Sequence, residues 1–560
     1  MKTKHLLLLI ILILPLFGFP QTTWTGVVDN NWFNPGNWDA GVPNAATDAI
    51  ISFDTLEKAP EIYLGDAFTN KLTISAGAYL TLSPTGTLTI NGIFENDGDF
   101  IVYSDSTGKS GSLIDNGIID NVDTLIIGTD TTFYYGIFRI WRNMTDVFST
   151  GYGWHYVSPP IDSAVSLFFA GCWLQGWFED ENNWWDVDPN NGDWSTFKEP
   201  VEVMKGYSVK KSTAFCGALN PESNTIEFNT NNVMRPGGKL NTGTISVDVT
   251  ASDFNGTTLD NWNLIGNPYV SSLNWELVTV PAGLNNTIYY WNPDVSNYVW
   301  YTQGIGGTGS QYIPSSQGFF VKATADDILT VQNSARTHLG ADVYYKSEIN
   351  DLLVLKVSGN NRSDETWIHL DENATTGFDG KYDAYKMFTS NGTVPQIFSI
   401  ADELNLALNS LPSKINVPLG FVCGTSGEYS IKVNQITDFN CVVLEDLKEN
   451  VKIDLLVNPE YSFSYSTLET ENRFIVHFEP LSVDELKTED IKIFSDQNNV
   501  CINFPFTEKG QCSIYDVTGK EIIRKAINKG LNTIQLAGAN SCYLVKVKSS
   551  VSITTKKICL

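Results

Sequence analysis

The residues of this chain best equipped for recognition are tryptophans. Trp184, Trp185, Trp194, Trp291 and Trp300 form an aromatic-rich set around two hairpin-like stretches, and an exposed aromatic ring can stack on a sugar or mark a contact surface. The same rings serve equally as core packing, and the adjacent pair Trp184-Trp185 on a strand points to opposite faces. Next to them, Asp186-Val187-Asp188-Pro189-Asn190-Asn191-Gly192-Asp193 offers oxygen ligands at Asp186, Asp188 and Asn190, the alternation a calcium loop uses. Its glycine falls one place late and no Glu stands at the twelfth position, so an acidic hairpin turn is the simpler reading. Calcium is the one cofactor this pattern invites; no other is expected.

Catalytic chemistry leaves little trace. No HExxH, GxSxG, P-loop or helix-opening GxGxxG occurs. The histidines, His5, His155, His338, His369 and His477, are scattered, and His155 and His477 fall in strand-like runs that suit packing or hydrogen bonding. A glycosidase needs only two carboxylates at the right separation in space, and with 63 acidic residues the sequence singles out no such pair. The expectation is a protein without catalytic residues, with an unrecognised hydrolase as an alternative.

The cysteines are Cys172, Cys216, Cys423, Cys441, Cys501, Cys512, Cys542 and Cys559, with no CxxC spacing to suggest zinc. One pair follows from strand geometry. A two-residue hairpin loop at Ser550-Val551 sets Ser549 opposite Ser552 and, continuing outward, Cys542 opposite Cys559. Opposed residues have Cβ atoms about 4.5–5.5 Å apart, close to disulfide range, so a Cys542–Cys559 bridge is predicted. Pairing within Cys172/Cys216 or Cys423/Cys441 stays open.

These residues need elements to position them. Short β-branched and aromatic runs are punctuated by Asn-Gly, Asp-Gly and Gly-Gly, which reads as an all-β protein. The best helix candidate is Ile400–Leu411, and it is weak. The 560-residue length suggests several domains. Lys2 and Lys4 precede an apolar run from Leu6 to Leu14, which reads as a signal peptide over residues 1–20. That run is shorter than the about 20 residues a membrane span needs, and no later segment is apolar enough to be one. The first cysteine, Cys172, is far from any lipidation position.

Charge divides the chain. Residues 491–560 hold 10 Lys+Arg and 4 Asp+Glu, a net of +6, leaving 26 against 59, a net of −33, for the rest. So acidic a body excludes a nucleic-acid partner, which would need clustered cations. The basic tail suits an acidic partner, although solvated strand faces explain it as well.

Residues 21–130 open with Thr23-Trp24-Thr25-Gly26, Asn31-Trp32, Asn37-Trp38 and Gly41-Val42-Pro43. This resembles the start of many Bacteroidetes surface and adhesin-like proteins, where such a segment caps a β-solenoid. Leu72-Thr73-Ile74, Leu80-Thr81-Leu82 and Leu88-Thr89-Ile90 then recur every eight residues, as stacked units sharing a core would. A plain antiparallel meander is the competing reading.

Residues 131–250 and 251–340 read as two copies of one β-rich unit. Gly153-Trp154-His155-Tyr156-Val157-Ser158-Pro159-Pro160 parallels Asn261-Trp262-Asn263-Leu264-Ile265-Gly266-Asn267-Pro268, and Lys205-Gly206-Tyr207-Ser208-Val209-Lys210 parallels Gln317-Gly318-Phe319-Phe320-Val321-Lys322. Trp185 and Trp194 are matched with Trp291 and Trp300 at an offset of 106. Residues 341–480, with alternating runs such as Arg473–Phe478, read as a β-sandwich, and 481–490 as a polar linker.

Residues 491–560 resemble the type A C-terminal sorting domain of the Bacteroidetes type IX secretion system, a small Ig-like β-sandwich. The resemblance rests on Asp516, Gly519 and Lys520 in a turn, on Tyr543, and on the terminal Lys556-Lys557-Ile558. The Asn-Pro usual near the start is replaced by Gln497-Asn498-Asn499, and Ser541-Cys542 stands before Tyr543 where Gly is usual. The resemblance implies passage to the cell surface or medium, with the secretion machinery as the partner of residues 491–560. The resulting expectation is a secreted, multidomain, adhesin-like or structural protein, with surface polysaccharide or other glycans as candidate ligands and a carbohydrate-binding protein assisting polysaccharide use as the alternative.

Overall fold

The computed structural model describes residues 19–52, 58–103, 111–116, 118–120, 122–127, 130–135, 137–143, 154–169, 172–187, 199–211, 225–229, 239–252, 260–339, 349–479, 491–496, 499–504, 506–536, 542–549 and 553–559. The elements are strands joined by turns and short 3-10 segments. No helix among the described residues is long and apolar enough to cross a membrane. Two compact units emerge: Met1–Phe439 with Pro459–Arg473, and Asn440–Asn458 with Phe474–Leu560. The stretch 341–480 therefore contributes to both.

The first unit begins with three sheets of short parallel strands. One runs Gln21–Thr23, Asp48–Ile51, Leu72–Ile74, Ile93–Asn96, Ile118–Asp120; a second Gly65–Thr69, Gly86–Ile90, Ser112–Asp115; a third Glu61–Ile62, Tyr79–Leu82, Asp99–Val102, Ile137–Asn143. Parallel pairing rules out the meander. The three apolar triplets spaced by eight fall on three different sheets, so eight residues make one side of a coil. A full circuit is longer, bringing Leu72 beside Phe94 and Leu80 beside Phe100. Leu72, Ile74, Leu80, Leu82, Leu88 and Ile90 are fully buried, and the intervening Thr faces outward by the period-2 rule. Trp24, Trp32 and Trp38 meet edge to face at 5.1 and 4.7 Å, and the Trp38 indole N–H donates to the Trp32 carbonyl at 2.7 Å.

Two modules follow with one topology. In the first, the spatial order is His155–Val157, Tyr207–Lys211, Cys172–Phe178, Asn183–Asp186; in the second it is Trp262–Gly266, Gly318–Ala323, Leu284–Asn292, Asn297–Thr302. Registers coincide as well. Tyr156 pairs with Ser208 as Leu264 pairs with Phe320, and Leu174 pairs with Val209 as Ile288 pairs with Val321. Carried along the hairpins, this register makes Trp177 the counterpart of Trp291 and Trp184 the counterpart of Tyr298. The sequence match of Trp185 with Trp291 is thereby corrected: aromatic identity was followed where strand register decides.

The modules meet about a local pseudo-two-fold. Val157 bridges to Gln317, and its counterpart Ile265 bridges to Lys205, the counterpart of Gln317. Ser158 N–H donates to Ser316 O and Gly266 N–H donates to Met204 O, both at 3.0 Å. Met204 and Ser316 each adopt positive φ, 63° and 58°. Corresponding backbone conformations thus recur on both sides of one isologous contact.

The later part of the first unit includes a path of seven hydrogen-bonded strands in the order Val417–Val422, Gln396–Ala401, Leu404–Leu411, Arg362–Leu370, Leu352–Gly359, Gly427–Ile436, Glu460–Tyr465. Here the helix expectation for Ile400–Leu411 fails. Ala401 pairs with Leu404, and the two intervening residues, Asp402 and Glu403, have φ of 48° and 65°, which is the type I′ turn that closes a twisted hairpin. Asn360 and Asn361 make the equivalent turn between Gly359 and Arg362.

In the second unit, Val443–Asp446 pairs with Val451–Asp454 on one side and with residues 474–477 on the other. The C-terminal portion has two sheets, Lys492–Asp496, Asn499–Phe504, Gly530–Gln535 and Glu521–Ile527, Gly510–Tyr515, Cys542–Lys548, Ile553–Cys559, in those orders. Val500, Ile502, Phe504, Ile514, Val545 and Val547 form its buried core.

Candidate functional site

The predicted tryptophans divide between core and surface. Trp184 stacks on Tyr156 at 5.6 Å and meets Trp177 edge to face at 5.2 Å. The Trp177 indole N–H crosses the module boundary to donate to Trp262 O at 2.6 Å. Trp300 is buried, 5.3 Å from Trp367, and half-buried Trp291 packs on Tyr298 at 5.2 Å. Trp184, Trp291 and Trp300 thus belong to one aromatic cluster built from equivalent faces of the two modules.

Trp185 lies on the opposite face. It is 50% exposed, and its indole N–H donates to Glu181 Oε2 at 2.6 Å. Across the strand pair it stands over Gly176, and Phe178, 48% exposed, lies on the same face. A Cβ built on Gly176 would lie 3.5 Å from Phe178 Cε2 and 3.7 Å from Val187 Cγ2, so the Phe178 ring lies over Gly176, and the two accessible rings are of the kind that can stack on a sugar face. Phe178 escaped the sequence reading because only strand register places it beside Trp185. Trp194, Asp188 and Asn190 lie outside the described residues; Asp186 accepts from Gln175 Nε2 at 3.0 Å. Among the described residues, no group of three His, Cys, Asp or Glu side chains could hold a metal.

Buried polar groups lock the scaffold beneath this surface. Lys322 lies 4.9 Å from the rings of both Trp262 and Tyr385 and donates to Asp260 O; burial pulls its ammonium down to about 8. Its counterpart Lys210 lies 5.4 Å from Trp154, so the Lys–Trp contact is repeated in both modules. Asp383 accepts from the N–H groups of Ser410 and Asp379, both at 2.7 Å, and burial pushes its carboxyl up to about 7. Asp364 is paired with Lys386, both buried, and also accepts from Asn297 Nδ2 at 2.9 Å.

The histidines have structural surroundings. His338 lies between Thr89 Oγ1 at 2.8 Å and Ser112 Oγ at 2.9 Å, and burial lowers it to about 4. Next to it, Arg336 donates to Leu113 O at 2.8 Å, so this segment is tied to two adjacent strands, Gly86–Ile90 and Ser112–Asp115, of one parallel sheet. His369 faces Ser410 Oγ at 3.4 Å and is lowered by burial. His477 lies 2.8 Å from Glu445.

The tail residues also take defined places. Asp516 Oδ1 accepts from the N–H groups of Thr518 at 2.8 Å and Lys520 at 3.1 Å, and Gly519 supplies the φ of 85° that closes the turn. The hydrogen bond from the Thr518 hydroxyl is the main cause holding the Asp516 carboxyl below its usual range. Tyr543 is core, while Lys556 and Lys557 are exposed on the last strand. Cys542 is disulfide-bonded, and the hairpin register sets it directly opposite Cys559.

The chain is thus an all-β, multi-sheet protein of stacked parallel rungs and paired modules, followed by a small basic β-domain. In comparison with known proteins, residues 496–560 match the secretion system C-terminal sorting domain. Residues 23–478 match the family described as a domain of unknown function, DUF8693, and the chain belongs to that family. It is also similar to the minor fimbrium subunit Mfa5 of Porphyromonas gingivalis, 22% identical over 424 residues, covering 68% of this chain and 33% of the relative. The chain thus spans about a third of the length of that curated relative. No solved structure matches it. The sorting domain directs the protein to the cell surface or extracellular space.

Proposed function

We propose that the chain is a non-enzymatic, adhesin-like surface component, exported through the type IX system by residues 491–560 after a signal peptide at 1–20 directs it to the periplasm. The observation that carries this reading is the likeness of 68% of the chain to a minor fimbrium subunit, joined to a C-terminal sorting domain. The architecture suits the role: a coil and two interlocked modules give a stiff body without needing an internal site. The test compares cells with and without the gene, scored for surface labelling by an antibody to residues 21–480 and for adherence to host or bacterial cells. Surface display with loss of adherence in the deletion supports the role. Intracellular retention of the wild-type chain, or release of reducing sugar from polysaccharides by the purified chain, overturns it.

A second reading is favoured by the accessible pair Trp185 and Phe178 across Gly176. In it, these two exposed rings stack on a carbohydrate, and the body holds surface or partner glycans. Binding to insoluble polysaccharides by the wild-type chain, lost in Trp185→Ala, is the expected result; equal binding by both proteins removes this site. Asp186, Asp188 and Asn190 are a calcium candidate on their sequence alternation alone, to be tested by calcium titration of the same chain.

A further inference from the structure

The outer face of the sheet Glu521–Ile527, Gly510–Tyr515, Cys542–Lys548, Ile553–Cys559 carries an ordered set of cations. One row across the four strands reads Arg524, Ser513, Lys546, Thr555; the next reads Ala526, Gln511, Lys548, Ile553. A third sets Leu544 opposite Lys557. Neighbouring strands lie about 4.8 Å apart and alternate residues about 7 Å apart, so the four cations share one compact patch. All four are exposed. Glu521 lies 2.7 Å from Arg524, leaving the three lysines without an acidic partner among the described residues.

Two apolar side chains are interleaved with this charge. Leu544 is 45% exposed and Ile553 is 58% exposed, while the opposite face of the sheet supplies Cys512, Ile514, Val545 and Val547 to the core. A binder of polyanions alone would not need solvent-facing Leu and Ile among its lysines. Protein interfaces combine an apolar centre with charges that steer and orient the partner.

We infer that this face is the docking surface of the sorting domain and that its occupant is a protein presenting an acidic patch with an apolar centre. The inference rests on the reading of residues 491–560 as a secretion address and adds to it which face is read and by what chemistry. The acidic body makes the segregation meaningful, since the net charge of residues 491–560 is +6 and that of the rest −33.

The test uses the full chain expressed in a cell with a type IX secretion system. Lys546→Glu, Lys548→Glu and Lys557→Glu are combined in one variant. The control combines Lys492→Glu, Lys509→Glu and Lys529→Glu, exposed positions off this face with the same change in charge. The face variant is expected to accumulate in the periplasm and its exported fraction to fall by about tenfold or more, because like charges are placed against each other; the control exports as wild type. Replacing the same three lysines by Gln gives an intermediate loss, and protease resistance of the purified variants checks that each remains folded. Equal export of face variant and control, with both folded, overturns the inference, and so does co-flotation of the wild-type chain with anionic lipid vesicles that the face variant has lost. Deletion of residues 491–560 separates the two claims: if export survives deletion, the secretion reading itself fails, and if only the deletion blocks export, the assignment of the face fails alone.

Discussion

Ser158 and Gly266 hold the same position in the two modules, and they meet. A Cβ built on Gly266 would lie 2.3 Å from Ser158 Cβ and 2.9 Å from its Oγ. The pseudo-two-fold passes through this contact, with the paired N–H donations to Ser316 and Met204 on either side. Only one of the two equivalent residues can carry a side chain.

Gly266→Ala is therefore expected to destabilise the module pair by about 1–3 kcal/mol through overpacking. Denaturant unfolding followed by tryptophan fluorescence measures it, since the nearby cluster contains Trp177, Trp184 and Trp262. Adding Ser158→Gly should recover most of the loss; no recovery would mean that the damage arises elsewhere, such as against Gln317 O at 3.1 Å.

Two buried groups give pH dependences of opposite sign. Asp383, raised by burial from 3.8 to about 7, keeps its proton more readily folded than unfolded, so its contribution to stability rises as pH falls from about 7 towards 3.8. His338, lowered by burial from 6.5 to about 4, resists protonation in the fold, so stability is lost as pH falls through that interval. Asp383→Asn should flatten the stability gain on acidification, and His338→Gln should remove part of the acid-induced loss. Unfolding midpoints measured between pH 4 and 8 settle both, and unchanged slopes would show that the two groups titrate as they do unfolded.

A Cys542–Cys559 bridge would close a terminal loop of a size for which chain entropy predicts about 3 kcal/mol of stabilisation. Thiol labelling of the denatured, unreduced chain should leave both residues unmodified. Reductant should sharpen protease sensitivity in residues 491–560, and Cys559→Ser should expose a new thiol at Cys542. A chain in which Cys559 labels freely excludes this pairing.

Trp185 and Trp300 should separate recognition from stability. Trp300→Ala removes a buried ring and is expected to cost about 3–5 kcal/mol. Trp185→Ala removes an exposed one and should leave unfolding nearly unchanged. Parallel unfolding and glycan-binding assays on the two variants check this, and a large stability loss in Trp185→Ala would place that ring in the packing.

Much of this architecture could be read from local pattern. The Leu-Thr-Ile triplets marked buried sides because strand alternation has a period of two, and the terminal hairpin register followed from one assumed turn. The duplicated ends were visible because Lys322 and Trp262, like Lys210 and Trp154, repeat a contact that both copies keep. The hairpins between them were misaligned because Trp185 and Trp291 share a residue type without sharing a register position. Asp402-Glu403 concealed a type I′ turn because neither residue is the Asn or Gly that usually announces one. The enclosure of Asp383 depends on strands distant in sequence, which no local pattern encodes, whereas Trp185 and Phe178 share a face through the register of a single short hairpin.

The parallel coil also acts as a ruler. Each circuit adds one strand to each sheet and advances the stack by one inter-strand spacing, about 4.8 Å. Leu72 beside Phe94 and Leu80 beside Phe100 show that a circuit is closed by whole residues returning to the same face. Length along this axis therefore changes in steps: a whole circuit can be inserted or removed with the Trp-rich opening and the His338 contact preserved in kind, whereas a partial one would turn core leucines to solvent. A lineage of such proteins could vary reach in small fixed increments while leaving both ends of the coil unaltered.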